Sequence, residues 1–351
     1  MVSTDTPADD PGIDLAVLTA WLDDQGVGSG PITDVTTLGG GTQNVMLRFR
    51  RADRDLVVRR GPRHLRTRSN DAMRREIKVL SALSGTAVPH PALVAACTDT
   101  DVLGDAVFYV MEPVVGFNPA VEVPAPYADD PALRHRSGLS VARALATLGA
   151  VDHDAVGLGD LGRPVGFLER QVERWRAELA SYAELAGYPG PDLPGVEPLG
   201  DWLEANRPGE WTPGLIHGDY HLANVMLTPE DGQVAAVVDW EMCTVGDPLL
   251  DLGALLATWP RGDEVEVVDA ALGRLPGLPT REELVVEYGE HSARDLSAVD
   301  WYVAMACFKL AIVLEGTHAR ACAGLAPRAV GEQLHGAALV LLDRARHSAG
   351  T

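Results

Sequence analysis

Residues 215–251, LIHGDYHLANVMLTPEDGQVAAVVDWEMCTVGDPLLD, constrain this chain more than any other stretch. Polar side chains stand in two short loops between apolar runs. Asp219 sits in His217-Gly218-Asp219, Asn224 follows it closely, and Asp239 comes after a second run. Val225-Met226-Leu227 and Val234-Ala235-Ala236-Val237-Val238 flank a Pro-Glu-Asp-Gly segment, a pattern of strand, tight turn and strand. Antiparallel pairing would return Asn224 and Asp239 to one end, close to Asp219. A carboxamide and a carboxylate placed so would hold a hard cation together with phosphate oxygens. The remaining carboxylate would accept a hydroxyl proton.

With 351 residues the chain exceeds one ordinary core, so two lobes are expected. The net charge is −21, with the acidic residues dispersed along the chain. Such a surface repels nucleic acid and anionic membranes, and neither is expected as a partner. Cys97, Cys243, Cys307 and Cys322 are far apart without a CxxC, so they read as thiols in a reducing compartment. No charged-then-apolar leader and no long apolar run is present, which points to a cytoplasmic protein. Oligomeric state leaves no trace in the sequence.

His217-Gly218-Asp219, Asn224 and Asp239-Trp240-Glu241 resemble the catalytic core of the aminoglycoside phosphotransferase and choline kinase-like family, small-molecule relatives of the protein kinases. The resemblance covers nearly the whole chain after the first dozen residues. Its middle region, RQVERWRAEL…WLEANRP, looks most like the kinase-type domain joined to some acyl-CoA dehydrogenases. It implies a bilobal α+β protein-kinase-like fold. The N-lobe, 1–112, would be a five-stranded antiparallel sheet with a helix and would bind nucleotide. The mainly helical C-lobe, 113–351, would carry the catalytic loop and the helices that bind the acceptor.

Along the N-lobe, 13–25 has helical periodicity, and 35–50 reads strand, Gly-rich turn, strand. Gly39, Gly40 and Gly41 leave backbone N–H groups uncovered for a phosphate. Gly40-Gly41-Thr42-Gln43-Asn44 is similar to the Gly-Gly-x-x-Asn turn of the family. A third strand, 55–60, carries Arg59 where the kinase pattern has a phosphate-binding Lys. The helix 70–83 places Met73, Ile77, Leu80 and Leu83 on one face with Glu76 beside it, and the resemblance implies that Glu76 pairs with Arg59. Two further strands, near 93–97 and 107–111, lead to Glu112-Pro113-Val114-Val115-Gly116. That segment looks like the kinase hinge, where backbone groups of Glu112 and Val114 would meet the adenine edge.

Beyond it, helices are expected over 132–151, 164–186, 199–206, 282–291, 298–316 and 329–347. Gly246-Asp247-Pro248 reads as a helix start, with Asp247 the N-cap and Asp251 an anchor for the catalytic loop through His217. The resemblance implies a Mg²⁺-dependent transfer of the γ-phosphate of ATP or GTP to a small-molecule hydroxyl. Asp219 would be the base, and Asn224 and Asp239 the metal ligands, with Glu241 reaching a second ion directly or through water. Arg59, steadied by Glu76, would neutralise phosphate. His221 either lines the acceptor site or stabilises its loop. Arg163, Arg170, Arg174 and Arg176 would suit an anionic acceptor such as a hydroxyacyl compound. Two rivals share these residues: a catalytically silent nucleotide-binding or scaffold module, favoured by the missing Lys, and an aminoglycoside-modifying kinase.

Overall fold

The computed structural model describes residues 12–39, 44–62, 64–65, 68–261, 267 and 270–350. The chain divides into two compact units. One comprises Met1–Thr86, His90–Val115 and Asp239–Glu241; the other comprises Ala87–Pro89, Gly116–Val238 and Met242–Thr351.

The first unit holds α1 (Leu15–Asp24), β1 (Ile32–Thr37), β2 (Val45–Arg51), β3 (Arg54–Arg60), α2 (Ser69–Leu83), β4 (Leu93–Cys97) and β5 (Phe108–Met111). The strands form one antiparallel sheet in the order β1-β2-β3-β5-β4. In β2, Leu47 and Phe49 are buried while Arg48 and Arg50 face out, the alternation a one-sided sheet requires. The central β3 has Leu56, Val57 and Val58 all buried. Leu18, Trp21 and Leu22 of α1 close one face, with Trp21 meeting Phe108 edge-on at 4.7 Å. The buried stripe of α2 is Met73, Glu76, Val79, Leu80 and Leu83. It is turned slightly from the expected face: Ile77 is only half-buried, and Glu76 lies inside the packed surface instead of beside it.

The second unit contains α3 (Ala125–Asp129), α4 (Pro131–Gly149), α5 (Glu169–Ser181), α6 (Val196–Ala205), β6 (Gly214–Ile216), β7 (Val225–Leu227), β8 (Val234–Val237), β9 (Thr244–Gly246), α7 (Leu249–Thr258), α8 (Arg281–Glu290), α9 (Val299–Cys322) and α10 (Arg328–Ala349). β6 pairs with β9, and β7 with β8. α9 is the buried spine, packed against α7 and α10. Gly253 permits the α7 approach, since a Cβ there would lie 2.3 Å from the Tyr302 carbonyl oxygen.

Three helices differ from expectation for identifiable reasons. α5 begins at Glu169 because Gly166 takes a left-handed φ of 65° and interrupts the run from Pro164. α9 continues past Gly316 to Cys322. That glycine does not end the helix; it makes room for Tyr182, whose hydroxyl would lie 2.5 Å from a Cβ there. α7 opens at Leu249, one residue later than expected, and Asp247 accepts a hydrogen bond from the Leu249 N–H at 3.1 Å. Among the described residues, no helix is long and apolar enough to cross a membrane.

Candidate active site

In the second unit the sequence after β6 turns sharply at Gly218, whose φ is 88° and where a Cβ would lie 2.7 Å from the Met242 carbonyl oxygen. Only glycine fits this corner. The buried carboxylate of Asp251 accepts from the backbone N–H groups of His217 and Gly218 and so pins the loop. The anchor acts on the loop backbone. The ring of buried His217 instead bonds the Val238 carbonyl through Nε2 at 2.9 Å, while its Nδ1 accepts the Asp219 N–H at 3.3 Å. One neutral tautomer satisfies both bonds.

Asn224 donates from Nδ2 to the Asp219 carbonyl at 2.9 Å and to Asp219 Oδ2 at 3.1 Å. Its amide is thereby oriented, and the Oδ1 acceptor is turned away from Asp219. His221 Nδ1 accepts the Ala223 N–H, and its Nε2 stands 3.3 Å from Asp219 Oδ2. His221 thus stabilises this loop and touches the catalytic candidate as well. Burial acts to raise the pKa of Asp219, but the hydrogen bond and charge of His221 and the charge of Lys309 outweigh it and hold the carboxyl at about 2. Asp219 is ionised at any physiological pH. β7 and β8 pair with Val225 opposite Val237, and Val238 donates to the Asn224 carbonyl at 2.9 Å. Asp239 is the next residue in the chain.

Lys309 escaped the sequence reading. It sits in the middle of α9, donates to the Gly218 carbonyl at 2.7 Å, and stands 5.7 Å from the Trp175 ring centroid. Burial lowers its pKa, opposed by Asp219 and Asp251. The signal was available, because the chain has only two lysines and this one interrupts the apolar run WYVAMACFKLAIVL. The α5 arginines behave differently from the anion-binding expectation. Arg176 is taken by Glu197, Asp201 and Glu204, and Arg170 bonds the carbonyls of Val165 and Arg163. Arg174 lies over the Trp175 ring at 5.0 Å.

In the first unit, Arg59 on β3 makes a two-pronged pair with Glu76, Nε at 3.0 Å and Nη2 at 2.8 Å. The same Nη2 reaches Asp239 Oδ1 at 2.8 Å. Tyr109, opposite Arg59 on β5, donates to Glu76 at 3.3 Å. Burial raises the pKa of Glu76, and Arg59 counters it. For Arg59, burial acts to lower the pKa but Glu76, Tyr109 and Asp239 overcome it, so the guanidinium stays charged. Asp239 itself has a φ of 70°, a left-handed conformation that Asp tolerates better than most residues. Glu241 lies close enough to add to the acidic field on Glu76. The Glu112 N–H bonds the Ala92 carbonyl, so only its carbonyl could serve a base; Val114 is half-buried. Gly40 and Gly41 lie outside the described residues, and neighbouring Gly39 is exposed.

Because Arg59 and Glu76 are both nearly inaccessible (11% and 1% side-chain exposure), Arg59→Ala strands a buried carboxylate. A loss of about 3–5 kcal/mol is expected, read by urea unfolding. Arg59→Lys, which keeps charge but not the fork, should fall between wild type and Ala. Equal stability of the Ala variant and wild type would refute the pairing.

Residues 34–284 match the model of the phosphotransferase enzyme family. The chain is 29% identical over 298 residues to acyl-CoA dehydrogenase family member 10 of Mus musculus, covering 84% of this chain and 27% of that protein. It therefore spans little more than a quarter of that relative's length. A crystal structure of a presumed aminoglycoside phosphotransferase from Ralstonia eutropha is similar with a TM-score of 0.79 and 28% identity, covering 96% of this chain and 98% of that one. A thermostable mutant of an aminoglycoside phosphotransferase, solved with AMP-PNP and hygromycin B, shares the fold at a TM-score of 0.58 and 14% identity, covering 95% and 97%.

Proposed function

The chain belongs to the phosphotransferase enzyme family, and we propose that it moves the γ-phosphate of ATP or GTP to a hydroxyl of a small molecule. The observation that carries this reading is the state of Asp219: partly exposed, ionised, and held between Asn224 and His221. A carboxylate held near 2 is a weak base. It aligns the acceptor hydroxyl and receives its proton late, which suits a loose transition state that needs positioning and charge neutralisation more than proton abstraction. The acceptor oxygen bonds to phosphorus, the bond to the bridging oxygen of the leaving diphosphate breaks, and the hydroxyl proton passes to Asp219.

Lys309 fixes the Gly218 carbonyl and so the corner from which Asp219 projects. Arg59 offers positive charge to phosphate, steadied by Glu76. Backbone groups of Glu112 and Val114 would meet the base. Asn224, Asp239 and Glu241 would be the oxygen donors for Mg²⁺. An all-oxygen set suits that hard ion, and Asn224 has its amide nitrogen already committed to Asp219. When bound, Mg²⁺ supplies charge neutralisation at the nucleotide phosphates. The neighbour solved with AMP-PNP supports nucleotide use. The test is incubation of the purified chain with ATP or GTP, Mg²⁺ and a panel of hydroxylated metabolites, read by mass spectrometry for a phosphorylated product. Nucleotide binding without any transfer across a broad panel would favour a silent module.

For the acceptor, the relatives named as acyl-CoA dehydrogenases support a hydroxyacyl compound. With Arg170, Arg176 and Lys309 committed elsewhere, Arg174 beside Trp175 is a cationic group that would favour an anion over a polycation. A hydroxyacyl-coenzyme A is expected to show a higher kcat/KM than kanamycin when the two are assayed side by side. The reverse order would sink this choice of acceptor.

A further inference from the structure

α9 and α10 carry a second cluster of ligating side chains, which phosphoryl transfer leaves unused. Glu315 and His318 stand one turn apart on α9, and His335 projects from α10. One ligand atom from each of the three lies within 4.8 Å of the others. Glu315 is fully buried. It accepts from the Tyr188 hydroxyl at 2.7 Å and from His335 Nδ1 at 2.6 Å. The two imidazoles face each other at 4.7 Å between centroids, tilted by 32°. His318 Nε2 is 3.7 Å from Cys322 Sγ, one further turn along α9. The helices come close at this point because residue 331 is glycine: a Cβ there would sit 2.4 Å from Ala321 Cβ.

A plain ion pair between the helices accounts for Glu315 and His335 but not for His318. That ring is stacked on another imidazole, touches a thiol, and has a buried Nδ1 without a hydrogen-bond partner among the described residues. Two imidazoles, a carboxylate and a thiol are the donor set of a borderline divalent ion, unlike the oxygen donors proposed for Mg²⁺. Tyr188 holds the second carboxylate oxygen, as outer partners of metal ligands commonly do.

We propose that Glu315, His318 and His335 form a binding site for zinc, with Cys322 as the fourth ligand, pinning α10 to α9. Tetrahedral zinc places nitrogen and oxygen ligands roughly 3.3 Å apart, so small rotamer changes close the present cluster. Binding is coordination without redox chemistry: the ion takes the place of the proton on His335 Nδ1, the ring carrying its N–H on Nε2 instead, and the thiol proton of Cys322 goes to solvent.

The test is titration of chelator-treated protein with zinc chloride against a chromophoric competitor, in excess Mg²⁺ so that oxygen sites are filled. One zinc per chain is expected, and His318→Gln and His335→Gln should each weaken it by at least about 100-fold, since even outer partners of a metal are worth 10–100-fold. Zinc should also raise the Tm of wild type and not of these variants. Of the four cysteines only Cys322 is exposed, so zinc should slow its alkylation, read by peptide mass spectrometry. Equal zinc affinity in wild type and both variants would overturn the site. An unchanged wild-type Tm would do the same, leaving an ion pair between helices. Binding lost in the variants with Cys322 alkylated at the same rate would remove the thiol as a ligand.

Discussion

Asp219→Asn is expected to lower the transfer rate by about 10³-fold, within the 10²–10⁴ range of positioned acid–base groups, while nucleotide affinity changes by no more than a few-fold. Asn is nearly isosteric and keeps an oxygen for the Asn224 amide, so the loop should hold its shape. What is lost is the charge that orients the acceptor hydroxyl and takes its proton. Single-turnover kinetics beside equilibrium nucleotide titration separate the two effects, and wild-type transfer by the variant would end the assignment. The pH dependence gives an independent readout. The folded carboxyl sits at about 2, below the ordinary value of about 3.9. Its contribution to stability is therefore complete above about pH 4 and is lost as pH falls towards 2. Wild type should melt above Asp219→Asn at neutral pH, and the gap should close over that acid window. A gap that stays constant down to pH 2 would mean that the carboxylate is not stabilised by His221 and Lys309.

Asp239→Asn is the second large expected effect. Asn adopts the left-handed backbone at this position as readily as Asp does, so the substitution tests charge and not conformation. Removing a charged ligand should weaken Mg²⁺-dependent nucleotide binding by at least about 100-fold, and binding measured without Mg²⁺ should change little. Arg59 would also lose one of its two carboxylate partners, yet Glu76 keeps it paired, so the fold should persist. Titration of nucleotide with and without Mg²⁺ decides it. Equal metal dependence in the variant and wild type would show that Asp239 does not hold the ion.

Much of this was legible before any coordinates. The strands β2 and β3 follow from alternation and an apolar run, and the β7–β8 hairpin from its turn residues, because local sterics and one-sided burial act over a few neighbours. The candidates Asp219, Asn224 and Asp239 came from residue type and spacing within one short stretch. Residues whose partners are distant in sequence were harder. Arg59 and Glu76 were linked only through the resemblance to kinases, and the turn of α2 that buries Glu76 could not be read from periodicity alone.

Sequence alone determined the family, most of the longer elements and the chemical types in the loop around Asp219, since these depend on short-range patterns. Tertiary structure alone decided which charges are committed and which are available. It spent Arg176 on three carboxylates of the α6 region, set Asp251 on backbone amides and not on the His217 ring, brought Lys309 behind Gly218, and placed His335 against Glu315 across two helices. The physical reason is that burial and pairing energies depend on distances through space. An ionisable side chain reads the same in a sequence whether it meets water, a counter-charge or a metal.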